Sequence, residues 1–284
     1  MLYRDFATQE SLDAQYNLAE VIGDPSAYFE FYTKESAAAR RELDCLLDVR
    51  FGPTLEENLD IFPAEDPAAP ILFFIHGGYW KRMSSKEFSY VARGLVARGI
   101  TVIVPNYALC PKVTIPEITR QVRAAVAWSK TTDLKFNGDR NRIFVSGHSA
   151  GGHLATRILC TSWQTDYGLP VDTVRAAYAF SGVYDLRPLR FGFAQPALQL
   201  TEDVIQRESP LLNIPAAAGP IIAEVGANES TEFRRQSADF ITAWKAAGLE
   251  GTYVEHTGTN HFDVVNDLID PTSDLCDRVV AMIN

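Results

Sequence analysis

The sequence has little of what marks several large protein classes. Its 4 cysteines, Cys45, Cys110, Cys160 and Cys276, lie far apart in 284 residues and form no C-x-x-C pair. That spacing argues against a disulfide framework or a thiolate metal site, and for free thiols in a reducing compartment. No apolar run approaches the roughly 18 residues needed to cross a bilayer. The opening MLYRDFATQESLDAQYNLAE is polar and acidic, without the apolar centre of a secretory leader, so a cytoplasmic protein is expected. Basic residues are in deficit, with 26 Lys and Arg against 36 Asp and Glu and a net charge of −10. With no basic stripe to offset it, such a surface repels phosphate backbones and anionic lipid, which counts against nucleic acid and membrane partners. Repeats and low-complexity tracts are also missing. The 46% apolar and 22% charged residues are an ordinary globular composition.

What is present is alternation. Residues 12–19 and 27–47 are rich in Ala, Glu, Arg and aromatics and predict helices, so residues 1–48 read as an N-terminal helical arm. LLDVRF and NLDIFP flank the Gly52-Pro53 turn signal and predict an antiparallel hairpin at a sheet edge. Beyond them, short apolar runs at 71–75, 100–104, 142–145, 174–180 and 221–225 suit strands buried on both faces, hence a mostly parallel sheet. Between the runs, Ile118, Val122, Ala125 and Val126 mark one helical face, opened by Pro116. Phe233, Phe240, Ile241, Trp244 and Ala247 mark another. Residues 1–284 therefore predict a single α/β domain with helices on both faces of the sheet. Ligands in such folds bind at the carboxyl ends of the strands, so the chemistry should follow them. The apolar, proline-punctuated segment 186–215 has little periodicity and predicts a small cap over the site.

After the 142–145 run comes Gly147-His148-Ser149-Ala150-Gly151, leading straight into a helical pattern. A serine on a sharp strand-to-helix turn holds Oγ up beside the amides of a helix N-terminus, and only small flanking residues leave room for it. Ser149 is the candidate nucleophile. After the 71–75 run comes His76-Gly77-Gly78-Tyr79-Trp80, where adjacent glycines let backbone N–H groups point into a site and bind an oxyanion. His76 shapes that loop.

A serine hydroxyl needs a base, and the base needs a group to hold its tautomer. Of the other histidines, His148 and His153 belong to the elbow and its helix, and His256 to the strand-like TYVEH. His261, in the polar loop Gly258-Thr259-Asn260-His261-Phe262, is the candidate base. The acid should lie between Ser149 and His261, in a loop after a strand. Glu229 in Gly226-Ala227-Asn228-Glu229-Ser230 fits that place, with Asp263 as its rival. Glu224 and Glu255 read as strand residues facing solvent or an edge. Tyr79, Trp80, Tyr107, Tyr184 and Phe191 are expected to line the substrate entrance, with His148 beside the serine. His148 and His153 do not match an H-E-x-x-H zinc site, and the chemistry requires no metal and no organic cofactor.

In combination, these segments resemble the kynurenine formamidase (arylformamidase) branch of the α/β-hydrolase superfamily. His76-Gly77-Gly78-Tyr79-Trp80 is similar to that family's H-G-G-x-W, and Gly147 to Ala155 to its G-H-S-A-G-x-H-L-A. Ser181-Gly182-Val183-Tyr184-Asp185-Leu186 is similar to its S-G-[IV]-Y-D-L, and Glu229 to Ser237 with His261-Phe262-Asp263 to its acid and histidine segments. The resemblance covers residues 45–284. It implies Ser149 as nucleophile, Glu229 as acid and His261 as base. It also implies an oxyanion hole at Gly77, Gly78, Tyr79 and Ala150, with backbone N–H groups from Gly78 and Tyr79 on the glycine loop and from Ala150 after the serine. One departure stands out: the family's acid is usually Asp, and glutamate's extra methylene changes its reach.

The expected function is hydrolysis of a small acyl group, formyl foremost, from an aryl amide through an acyl-enzyme, with a place in tryptophan catabolism implied by the resemblance. A general short-chain or aryl carboxylesterase is the alternative, and a non-catalytic small-molecule receptor a remote third. The expected partner is a small-molecule substrate, and a homodimer is compatible with the sequence.

Overall fold

In the computed structural model, which describes residues 1–284, the alternating runs form one eight-stranded sheet of order β1-β2-β4-β3-β5-β6-β7-β8. Its strands are β1 (Leu46–Arg50), β2 (Asn58–Phe62), β3 (Pro70–Ile75), β4 (Thr101–Pro105), β5 (Asp139–His148), β6 (Ala177–Phe180), β7 (Ile221–Gly226) and β8 (Gly251–His256). β1 and β2 form the expected antiparallel edge hairpin, and β2 runs antiparallel to β4. From β4 to β8 every pairing is parallel. This is the α/β-hydrolase architecture.

Period-two alternation divides the core between the two faces of the sheet. Ile71, Phe73 and Ile75 of β3 face one apolar cluster, while Leu72 and Phe74 face the other. The first cluster is covered by α5 (Ile115–Thr131), α6 (Ala150–Leu159) and α10 (Thr231–Ala246), the second by α4 (Ala92–Ala97) and α11 (Asp274–Ile283). Pro116 sits in the first turn of α5, where its missing N–H costs nothing, and the helix buries Ile118, Val122, Ala125 and Val126. Ser230 caps α10 by accepting from the Phe233 N–H at 3.4 Å.

The N-terminal residues form α1 (Gln9–Tyr16), α2 (Leu18–Ile22) and α3 (Ser26–Glu42). The arm's helices stop earlier than residue 48, because Leu43 turns to an extended conformation and the chain from Leu46 is taken into β1. The remaining helices are short: α7 (Trp163–Tyr167), α8 (Gln195–Leu198) and α9 (Glu202–Glu208). No helix is long and apolar enough to cross a membrane.

One strand residue departs from expectation. Glu224 in β7 is fully buried rather than facing solvent, since β7 is flanked on both sides. Its carboxylate meets Arg278 at 2.9 Å, His256 at 2.8 Å and the Tyr178 hydroxyl. Burial alone would raise its pKa, yet the hydrogen bonds from these partners hold it below the ordinary glutamate value. Glu255, on the edge strand, is exposed as expected.

Candidate active site

β5 ends at His148, and Ser149 takes φ 58° and ψ −117° before α6 begins at Ala150. A side chain at that positive φ is strained, and the neighbours hold it there. The Ser149 N–H donates to the Phe180 carbonyl at 2.8 Å. A Cβ at Gly151 would overlap the Ile75 carbonyl, and one at Gly147 would overlap the Gly151 carbonyl. The two glycines of the elbow are thus steric requirements of the turn. The Ala150 N–H opens α6, where it has no intrahelical partner and adds the helix dipole to the site.

The glycine loop comes down beside the serine. A Cβ at Gly77 would lie 2.8 Å from the His148 carbonyl oxygen and 3.3 Å from Ser149 Cβ. Gly78 has φ +106°, and Tyr79 and Trp80 have φ 52° and 53°. This left-handed run turns successive amides inward, and the N–H groups of Gly78 and Tyr79 donate to no protein acceptor. His76 supports the loop from below. Its Nδ1–H donates to the Gly77 carbonyl at 2.8 Å, and its ring stacks on Tyr107 at 3.9 Å.

His261 and Glu229 meet in the loops after β8 and β7. Nδ1 of His261 is 2.6 Å from Glu229 Oε2, with both side chains buried. The other carboxylate oxygen accepts from the Gly226 N–H at 2.8 Å and from the Ser181 hydroxyl. With Nδ1–H given to the carboxylate, Nε2 keeps its lone pair. Asp263 is occupied otherwise, accepting from the Asn260 N–H at 2.6 Å and so holding the turn that carries His261. The His261 carbonyl accepts from Nε2–H of His148 at 2.7 Å, which ties the loop to the elbow. Burial, and then the nearby His261 ring, push the His148 pKa down to about 3, so His148 is a neutral donor.

Ser149 and His261 line one small cavity with Gly78, Tyr79 and His148. Ser149 Oγ and His261 Nε2 are not hydrogen-bonded to each other in this conformation. Such contacts are commonly long without substrate and tighten on binding. The free space is about 290 Å³ including its mouth, and its enclosed part has room for about one water molecule.

The remaining lining residues are Leu18, Tyr32, Arg82, Met83, Phe88 and Phe262. Of the aromatics expected at the entrance, Tyr79 lines the cavity and the other four are elsewhere. Trp80 is buried edge-on against His153 at 5.0 Å. Tyr107 lies beneath the glycine loop, donating to the His76 carbonyl at 2.9 Å. Tyr184 is buried against Phe240 at 4.3 Å. Phe191 packs on the core outside the cavity. In each case a large ring gains more from burial under the site than from standing over it. Segment 186–215 contributes no residue to the lining. Its Leu186, Leu189, Leu198 and Ile205 are drawn into the core, and Leu18 and Tyr32 of the N-terminal arm take the place expected for a cap.

The family model described as BD-FAE matches residues 59–188. A protein of Danio rerio named kynurenine formamidase is 32% identical over 252 residues, covering 86% of this chain and 84% of its own. The chain belongs to the kynurenine formamidase family. Esterase LipC of Mycobacterium tuberculosis is 28% identical, over 77% of this chain and 60% of its own. A crystal structure of a candidate thioesterase from Silicibacter sp. TM1040 superposes with a TM-score of 0.80 at 29% identity, covering 95% of this chain and 98% of the other. The family belongs to the α/β-hydrolases, and the chain is a serine hydrolase of formamidase and esterase type.

Proposed function

We propose that the protein removes a formyl or similarly small acyl group from an aryl amine, with N-formylkynurenine as the lead substrate. Ser149 is the nucleophile, His261 the general base and Glu229 the group that holds the imidazole. Ser149 Oγ adds to the acyl carbon while His261 Nε2 takes its proton. The resulting oxyanion is held by the N–H groups of Gly78 and Tyr79 on the glycine loop and of Ala150 at the start of α6, and Gly77 is the small residue that lets the glycine loop approach. Collapse of the adduct breaks the bond to the aryl nitrogen, which leaves as the amine with the proton from His261. A water activated by the same imidazole then releases formate and restores the serine.

The observation that carries this reading is the 2.6 Å contact between Glu229 and His261 Nδ1, on the loop whose histidine shares a cavity with Ser149. The small space supports a short acyl group. The formamidase relative supports the amide. The same reading assigns the protein to tryptophan catabolism in the cytoplasm, acting on small molecules and not on nucleic acid or membranes, and a homodimer is compatible with it.

A general carboxylesterase is the second reading, favoured by the esterase relative and by a site that serves both reactions. A panel comparing N-formylkynurenine with p-nitrophenyl esters of increasing acyl length separates them. The formamidase reading expects kcat/KM on the formamide to match or exceed that on the acetate and to fall steeply beyond two acyl carbons. An ester rate far above the formamide rate supports the second reading instead.

A further inference from the structure

Arg82 lines the cavity over Ser149 and forms no ion pair. Its N–H closes the turn after the glycine loop, donating to the Gly78 carbonyl at 3.1 Å. A Cβ on Gly78 would meet Arg82 Cγ at 3.2 Å, so the stem of the side chain leaves directly over that glycine. The guanidinium carbon lies 5.3 Å from the centre of the Phe29 ring. Phe29 in turn packs edge-on against Phe262 at 5.6 Å, next in the chain to His261. The planar fork is therefore seated on an aromatic face, which leaves its donor edge open.

The charge next to it is alike in sign. Lys81 forms no ion pair either, and its Nζ lies 4.9 Å from the Phe193 ring centre. Burial lowers the Arg82 pKa, and burial together with Arg82 lowers that of Lys81. Several half-buried arginines elsewhere in this acidic chain are paired with oxygen. Arg235 pairs with Glu232 and Asp239, Arg278 with Glu224, and Arg140 with the Leu134 carbonyl. Arg82 is exposed at the cavity mouth, so water keeps its charge without a carboxylate partner, and a free guanidinium with a second cation beside it is suited to fixing an anion.

We propose that Arg82, in the field of Lys81, binds a carboxylate carried by the leaving group and so selects anionic aryl formamides and esters over neutral ones. The acyl group itself is uncharged and its oxygen belongs to the backbone amides, so the guanidinium at the mouth meets the other half of the substrate. This inference rests on the hydrolase reading above.

The test compares 3-acetoxybenzoate with its neutral isostere 3-acetoxybenzamide, which share acyl group and bond. Wild type should favour the benzoate in kcat/KM, and Arg82→Gln should lower that anionic-to-neutral ratio by about 10- to 100-fold. Arg82→Lys, which keeps the charge but not the fork, should fall between. A purely structural role would slow both substrates together and leave the ratio fixed, which would overturn the proposal. Inhibition of wild type needs no variant: benzoate should compete more tightly than benzamide, and equal or weaker inhibition by benzoate counts against Arg82. A wild type that hydrolyses both esters at equal kcat/KM keeps the hydrolase reading and removes only this inference. One that hydrolyses neither removes both.

Discussion

Glu229 and His261, 32 residues apart in the chain, are joined by a 2.6 Å contact between Oε2 and Nδ1 at the ends of neighbouring strands β7 and β8. The same carboxylate reaches the Gly226 N–H with its other oxygen. Glutamate's extra methylene is thus used: it lets one carboxylate bridge its own strand end and the imidazole.

That bridge sets the first prediction. Glu229→Gln should cost about 10³- to 10⁴-fold in kcat, because an amide cannot hold the productive tautomer. Glu229→Asp, too short to keep both contacts, should cost about 10- to 100-fold. Asp263→Ala should cost less than Glu229→Gln, since Asp263 holds the loop through Asn260 rather than the ring. Steady-state rates on p-nitrophenyl acetate read all three, and a reversed order would give the acid's role to Asp263.

Gly77→Ala tests the oxyanion loop. The added Cβ would stand 2.8 Å from the His148 carbonyl and 3.3 Å from Ser149 Cβ, so the loop must move off the serine. A displaced donor costs about 10²- to 10³-fold in kcat with KM changing less. Pre-steady-state acylation with p-nitrophenyl acetate measures it, and an unchanged burst rate would contradict the assignment.

Three buried histidines add to the acid sensitivity of the fold between about pH 6.5 and 4. Burial pushes His76 and His153 down to about 4 and, with the His261 ring, His148 down to about 3. An unfolded histidine titrates near 6.5. Below that value the unfolded chain takes up protons that the native chain refuses, so stability is full above about pH 6.5 and falls as the pH drops toward 4. Each residue contributes up to about 1.4 kcal/mol per pH unit across that window. His153→Gln, keeping a donor for the Glu208 carbonyl, should make urea midpoints between pH 6.5 and 4.5 less steep in pH than those of wild type. Parallel curves would contradict a neutral buried His153.

The legible parts of the site were those set by local chain geometry. Gly147 and Gly151 are required by the turn that lifts Ser149, and a turn is written in consecutive residues. His261 and Glu229 follow strands whose apolar runs are plain. Trp80, Tyr107 and Tyr184 were misplaced because an aromatic at a strand end has the same sequence environment whether it faces the pocket or the core. Leu18 and Tyr32 reach the cavity from the N-terminal arm, through tertiary packing that no motif announces. Glu224 looked solvent-facing because its partners His256 and Arg278 are 32 and 54 residues away.

The most direct measurement is intact-mass and peptide analysis of the protein after reaction with a fluorophosphonate. The account predicts one adduct, on Ser149, that is absent from Ser149→Ala and forms far more slowly in His261→Ala. A folded wild type that takes no label, or takes it on another residue, would contradict it.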